Sequence, residues 1–253
     1  MLLTEISTLT QPFLLGKSID GLILGGYDWL ILFAISLLIS ILFNYKRMLY
    51  DTKVYTQIYN DIVLRFLKKD DIATSSKVAR TDMAHDIVGV LEGYVHYYIA
   101  TIVTILGSIF FIFSSSYQVG LLVVLASILI MFSVYKFYPK IRQSIIIRNN
   151  QYEKKVAAIT DGYDSSYLFF NRKRKLDIFE STLQGKSWLS VGFIKNVFLV
   201  LSLIVLINTT TVITVGGVIT IYSYVNNFLI SLMSIPVAVE MCSRLSDILK
   251  RVE

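Results

Sequence analysis

Residues 97–135, YYIATIVTILGSIFFIFSSSYQVGLLVVLASILIMFSVY, decide the fold. The stretch holds no charged residue, and its one interruption is the polar run Ser114-Ser115-Ser116-Tyr117-Gln118. A bilayer core takes roughly 20 mostly apolar helical residues, and backbone amides in lipid must be satisfied within the segment itself. A tight hairpin of two membrane-spanning helices is therefore expected here. Working outward, Trp29–Phe43 is uncharged and continues a weaker apolar stretch from Gly21. Asn196–Val239 is also uncharged, with Thr209, Thr210, Thr211 and Gly216-Gly217 marking a turn between two further spans. Met1–Gly16 contains Glu5 and Pro12, and is either a short first helix or half of a longer one. It is not expected to be a signal peptide, because no basic segment precedes it and no small-residue cleavage site follows.

Composition agrees. The 253 residues are 55% hydrophobic and 17% charged, with a mean hydropathy of +0.63. Soluble domains carry about 25% charge. Three prolines and a single cysteine exclude a collagenous or disulfide-stapled chain. A formal charge of +6 invites nucleic acid as a partner, but no recognition motif accompanies the basic residues, and none is expected to bind it.

Most ionisable groups lie in two stretches between the apolar runs, Asn44–Glu92 and Lys136–Lys195. Tyr45–Leu67 has no Gly or Pro and keeps Val54, Ile58, Ile62 and Phe66 at helical spacing, so the membrane helix is expected to run on into water. In the second stretch the cluster Asp161-Gly162-Tyr163-Asp164-Ser165-Ser166 is the expected turn. Lysines and arginines other than Lys17 and Lys195 fall in these stretches or in the C-terminal end, which places them in the cytoplasm by the positive-inside rule. Both termini then face the cytosol, and the opposite loops are short. Trp29 and Trp188 begin spans at opposite interfaces, where an indole is favoured.

Six spans with two long helical hairpins, after the second and fourth, resemble the transmembrane domain of type I ABC exporters. Pro12-Phe13-Leu14-Leu15-Gly16-Lys17-Ser18-Ile19-Asp20 is similar to that family's Pro-x-x-x-Gly-x-x-x-Asp at the end of the first span. Leu64-Arg65-Phe66-Leu67 resembles the stretch before the first coupling helix, and Arg80 with Asp86 the start of the third helix. Gly216-Gly217-Val218-Ile219-Thr220, Pro236 and Arg244-Leu245-Ser246-Asp247-Ile248 resemble the sixth helix and its exit. The resemblance implies an all-α membrane protein with one exporter-type domain over residues 1–253. It also implies a homodimer, a bacterial inner (cell) membrane location, and a separate ATP-binding subunit docking on the cytoplasmic hairpins. The ATPase domain of a usual half-transporter would begin shortly after the helix that ends near Glu253, so the chain is similar to the stand-alone group and is expected to carry no nucleotide-binding domain.

A phosphate loop needs Gly-x-x-x-x-Gly-Lys-Ser/Thr between strand and helix. Before Gly16-Lys17-Ser18 the upstream glycine position holds Gln11, and before Gly185-Lys186-Ser187 it holds Glu180, so neither is expected to bind ATP. No catalytic residue, cofactor or metal is expected.

Two side-chain constellations stand out. Thr220, Tyr224, Asn227, Ser231 and Ser234 recur at spacings of four, three, four and three, which keeps them on one helical face. Lipid disfavours that face, so it lines either a substrate pathway or a contact with a neighbouring helix. The resemblance points to the pathway. The two histidines share a face of the third helix: His85, Gly89, Glu92 and His96 follow one another by four, three and four. Glu92 and His96 are expected within hydrogen-bond reach, as a proton- or ion-coupling pair or as a surface ion pair. Zinc needs more ligands than this triplet offers. Lys195 and Glu240 are isolated charges near span ends; the first is expected to reach the interface and the second to pair with Arg244. The run Arg172-Lys173-Arg174-Lys175 either enforces topology or meets anionic lipid. The functions that remain are a translocation subunit driven by a partner ATPase, a proton- or cation-driven transporter of the same fold, and a non-transporting scaffold.

Overall fold

The computed structural model describes residues 2–68, 74–160, 163–209, 214–235 and 237. Six helices account for them: α1 Leu2–Ile23, α2 Asp28–Leu67, α3 Thr74–Ser115, α4 Tyr117–Thr160, α5 Tyr163–Thr209 and α6 Val215–Met233. The expected break at Ser114–Gln118 narrows to Ser116 alone, between α3 and α4. Of the turn expected over Asp161–Ser166, Tyr163–Ser166 belong to α5, while Asp161 and Gly162 lie outside the described residues. Five helices, α2 to α6, contain windows long and apolar enough to cross a membrane. From α2 to α5 the helices run 40, 42, 44 and 47 residues. At 1.5 Å per residue these are about 60 to 70 Å long, roughly twice a hydrocarbon core.

The first helix departs from expectation. It runs on past Gly16 to Ile23, and its 22 residues span about 33 Å. It is not among the five apolar helices, because Glu5, Ser7, Gln11, Ser18 and Asp20 interrupt it. The other helices make up for that. Ser7 Oγ lies 2.6 Å from Ser40 Oγ of α2, and Gln11 Nε2 donates to the same hydroxyl at 3.1 Å. Ser18 Oγ sits 2.7 Å from the carbonyl of Leu14 and 2.8 Å from that of Trp29.

By compactness the chain falls into two units. The first takes in residues 1–121 and 201–253, so it contains α1, α2, α3, α6, the start of α4 and the end of α5. Within it α1 packs against α2, α3 and α6, while α3 also packs against α2 and α6. Its core is the buried face of α6, Ile221, Tyr224, Val225, Phe228, Leu229 and Leu232, with Ile112 of α3 and Val119 of α4. That face repeats every three or four residues, as an amphipathic helix requires. By contrast α2 leaves Leu30, Ile31, Leu32, Ile35, Leu38, Ile41 and Leu42 exposed, an apolar surface suited to lipid. The second unit, residues 122–200, holds the rest of α4 and α5. Val123, Ala126, Ile130 and Val134 form its buried stripe on α4, and Ser133 Oγ meets Ser190 Oγ of α5 at 2.9 Å.

Candidate functional site

The polar face of α6 is assembled from both termini of the first unit. Tyr224, buried, donates its hydroxyl to the Leu9 carbonyl of α1 at 2.9 Å and stacks on Phe111 of α3, with ring centroids 4.6 Å apart and planes within 4°. Phe111 in turn lies 6.4 Å from Phe13, whose ring meets Trp29 edge-on at the same distance. The Thr220 hydroxyl sits 2.8 Å from the Gly216 carbonyl and 3.2 Å from the Pro12 carbonyl. Ser234 donates to the Ser231 carbonyl and lies 3.3 Å from Thr101 Oγ1 of α3. Three of the five stripe residues thus have their hydroxyls in contacts with α1 and α3. Asn227 is partly exposed and hydrogen-bonds to none of the described residues; Ser231 is also partly exposed.

Above Thr220 two glycines let the helix backbones touch. A Cβ on Gly16 would collide with Thr220 Oγ1 and the Gly216 carbonyl oxygen. One on Gly216 would strike the Gly16 carbonyl oxygen and stand 2.7 Å from Asp20 Cγ. The close approach brings the Asp20 carboxylate over the first turn of α6. Its Oδ1 accepts from the Gly216 amide at 2.8 Å, and its Oδ2 accepts from Thr214 Oγ1 at 2.7 Å. Thr214 is itself the N-cap, its hydroxyl oxygen accepting from the Gly217 amide at 3.0 Å. A negative charge placed there also meets the positive end of the helix dipole. Asp20 is held at the end of α1 by a Schellman turn: Gly25 takes φ 81°, its amide donates to Leu22, and the Gly26 amide donates to Gly21. A cleft of about 220 Å³ opens beside this junction, lined by Phe13, Lys17, Asp20, Ser115, Leu206 and Thr214 among others.

At the other end of α1 the charged groups pair differently from expectation. Glu92 is exposed and makes neither a hydrogen bond nor an ion pair with His96 among the described residues. His96 turns instead toward α1 and α2. The Arg47 guanidinium donates to its ring, with Nη1 2.8 Å from Nδ1 and also against Nε2. Glu5 Oε1 lies 3.6 Å from His96 Nε2 and 4.0 Å from Arg47 Nη1, and Asp51 Oδ2 lies 3.7 Å from Arg47 Nε. Helical spacing placed Glu92 and His96 on neighbouring turns, but α1 and α2 pack on the side of α3 that bears the histidine. Sequence reading missed Glu5 and Arg47 as its partners. The signal was partial: Glu5 is a lone charge in an apolar run, where a charge needs a partner, while Arg47 stands beside Lys46 in the charged stretch after one.

Among the described residues no group of three His, Cys, Asp or Glu has metal-binding geometry. Lys195 is partly exposed on α5. Glu240, Arg244, Pro236 and the His85 side chain lie outside the described residues.

Helices of this length and apolarity, tied together by buried hydroxyls, define an integral multi-pass membrane protein of the all-α class. The family model of the ABC transporter transmembrane region matches residues 1–216, and the chain belongs to that family. The match takes in both sides of the glycine crossing, Gly16 and Gly216, and stops in the first turn of α6. No curated protein matches the chain.

Proposed function

We propose that the chain is the membrane translocation subunit of an exporter-type transporter, working as a homodimer and energised by a nucleotide-binding subunit on a separate polypeptide. The observation that supports this reading is the length of α2, α3, α4 and α5. A bilayer accommodates about half of each, and the other halves carry most of the basic residues. Long charged helical hairpins on one side of the membrane are a lever by which an ATPase moves spans it does not touch. The positive-inside rule puts them, and both termini, in the cytoplasm. Neither Gly-Lys-Ser has the upstream glycine of a phosphate loop, so ATP is bound outside these 253 residues.

In this reading Asn227 and Ser231, partly exposed residues of the stripe, face the pathway. Thr220, Tyr224 and Ser234 hold the wall behind them. A second copy covers the polar groups that one copy leaves toward lipid.

A gradient-driven transporter of the same fold is the second reading, favoured by the charged junction of Glu5, Arg47 and His96. Purification from native membrane followed by reconstitution separates the two. The first reading expects an ATPase to co-purify, flux to stop when that subunit is removed, and the isolated chain to bind no nucleotide. Micromolar ATP affinity in the partner-free chain, or flux that persists without the ATPase, overturns it.

A further inference from the structure

The junction of α1, α2 and α3 contains two alternative sets of ion partners for one imidazole. Around His96 stand Glu5 from α1 and Arg47 and Asp51 from α2, while the described part of α6, which packs on α1 and α3, carries no charged side chain. Glu92 lies one turn before His96 on α3 and is exposed.

Guanidinium only donates, so Nδ1 must offer it a lone pair while the Nε2 N–H is directed toward Glu5, and the imidazole in this arrangement is neutral. Of the charges around it, Glu5 and Asp51 are negative, and Arg47 and the N-terminal amine are positive. A proton on His96 removes the lone pair that Arg47 uses. The replacement partners already stand within ion-pair distance. The imidazolium faces Glu5 at 3.6 Å, and Arg47 faces Asp51, one turn on along its own helix, at 3.7 Å. The Arg47 Nε that points that way is buried and without a hydrogen bond among the described residues.

We propose that Glu5, Arg47, Asp51 and His96 form a proton-binding site in which protonation of His96 exchanges α2 for α1 as the ion partner of α3. In the neutral state Arg47 bridges α2 to His96 of α3 and to Glu5 of α1. In the protonated state α1 pairs with α3 directly and Arg47 turns back onto α2. The proposal deepens the transport reading by supplying a chemical signal that alters how the first three helices are held.

The chain has two histidines, so His85→Gln leaves His96 as its single imidazole. Carbon-13 histidine labelling in lipid nanodiscs then follows one titration from about pH 5 to about pH 8, the range in which imidazole changes charge. Arg47→Met and Glu5→Gln are expected to move its midpoint in opposite senses, each by about 1 to 3 pH units. Asp51→Asn moves it in the same sense as Glu5→Gln. Spin labels at Leu3 and Met48, both exposed, in a Cys242→Ser background report the α1 to α2 distance. That distance changes on acidification in the His85→Gln protein and stays constant when His96→Gln is added. A midpoint indifferent to Glu5→Gln and Asp51→Asn overturns the proposal even where Arg47→Met fails to fold. So does a distance change that survives His96→Gln. Neither measurement requires transport, so an inert chain with a coupled titration defeats the transport reading alone.

Discussion

Alanine at Gly216 asks whether the α1 to α6 crossing holds the first unit together. In an open helix position the change stabilises, since glycine is about 1 kcal/mol less favourable than alanine. Here the new Cβ meets fixed backbone, the Gly16 carbonyl oxygen and its carbon at 2.7 Å, as well as Asp20 Cγ at 2.7 Å. Ordinary van der Waals contact begins at 3.4 Å, so α1 and α6 must separate by more than an ångström to clear the Gly16 carbonyl oxygen. The two hydrogen bonds to Asp20, at 2.7 and 2.8 Å, span the same gap and stretch with it. Overpacking costs about 1 to 3 kcal/mol. Losing one hydrogen bond to a charged acceptor costs about 1.5 to 3 kcal/mol more. Set against the helix-propensity gain, the net loss is about 1.5 to 5 kcal/mol. The control is Gly185→Ala on α5, where an added Cβ finds nothing within 4 Å and the propensity gain acts alone. Thermal unfolding of the two variants in one detergent should place Gly216→Ala about 10 °C below Gly185→Ala, at about 2 to 4 °C per kcal/mol for a chain of this size. Adding Gly16→Ala should then cost less than it does in the parent, because both methyl groups open the same contact. If Gly216→Ala melts with or above Gly185→Ala, the backbones do not touch as described and the argument fails.

Two further perturbations probe the face of α6. Tyr224→Phe keeps the ring on Phe111 and removes the hydroxyl that reaches the Leu9 carbonyl, so it should lower stability by about 1 kcal/mol, seen as a small drop in melting temperature with assembly intact. No loss would mean that the hydrogen bond contributes nothing net. Asn227→Leu should change flux or substrate preference in proteoliposomes while membrane insertion and oligomeric state stay as in the parent. A collapse of assembly with no effect on flux in the surviving fraction would move Asn227 from the pathway to the helix contacts.

Helix ends were legible because polar punctuation marks them. Ser116, within the polar run Ser114–Gln118, separates α3 from α4, and Leu67 and Thr209 close α2 and α5 beside the charged and threonine-rich segments named from sequence. The length of α1 was not, because Gly16, Lys17 and Asp20 read as an exit from the membrane. In the fold they belong to the helix itself: Gly16 and Asp20 meet α6, and Lys17 is exposed. The stripe on α6 was visible as a stripe, but periodicity identifies a face without saying what covers it. Its partners Leu9, Pro12 and Thr101 lie more than a hundred residues away in the chain. The histidine shows the same limit. A spacing of four makes Glu92 and His96 neighbours on α3, while the rotation of α3 against α1 and α2 decides which of them meets Arg47.

The carboxylate that caps α6 comes from Asp20, 196 residues upstream of the amide it receives. That separation orders the chain's assembly in time. A ribosome finishes α1 long before α6 exists, and throughout that interval Asp20 has neither Gly216 nor Thr214, while the Leu9 and Pro12 carbonyls have no hydroxyl from α6. α1 is too polar to rank with the other five as a spanning segment, and the hydroxyl of Ser40 on α2 is the first interhelical partner to reach Ser7 and Gln11. Insertion of the first helix therefore depends on the second, and the first unit closes when α6 arrives, so that emergence of α6 from the translocon is a checkpoint for that unit.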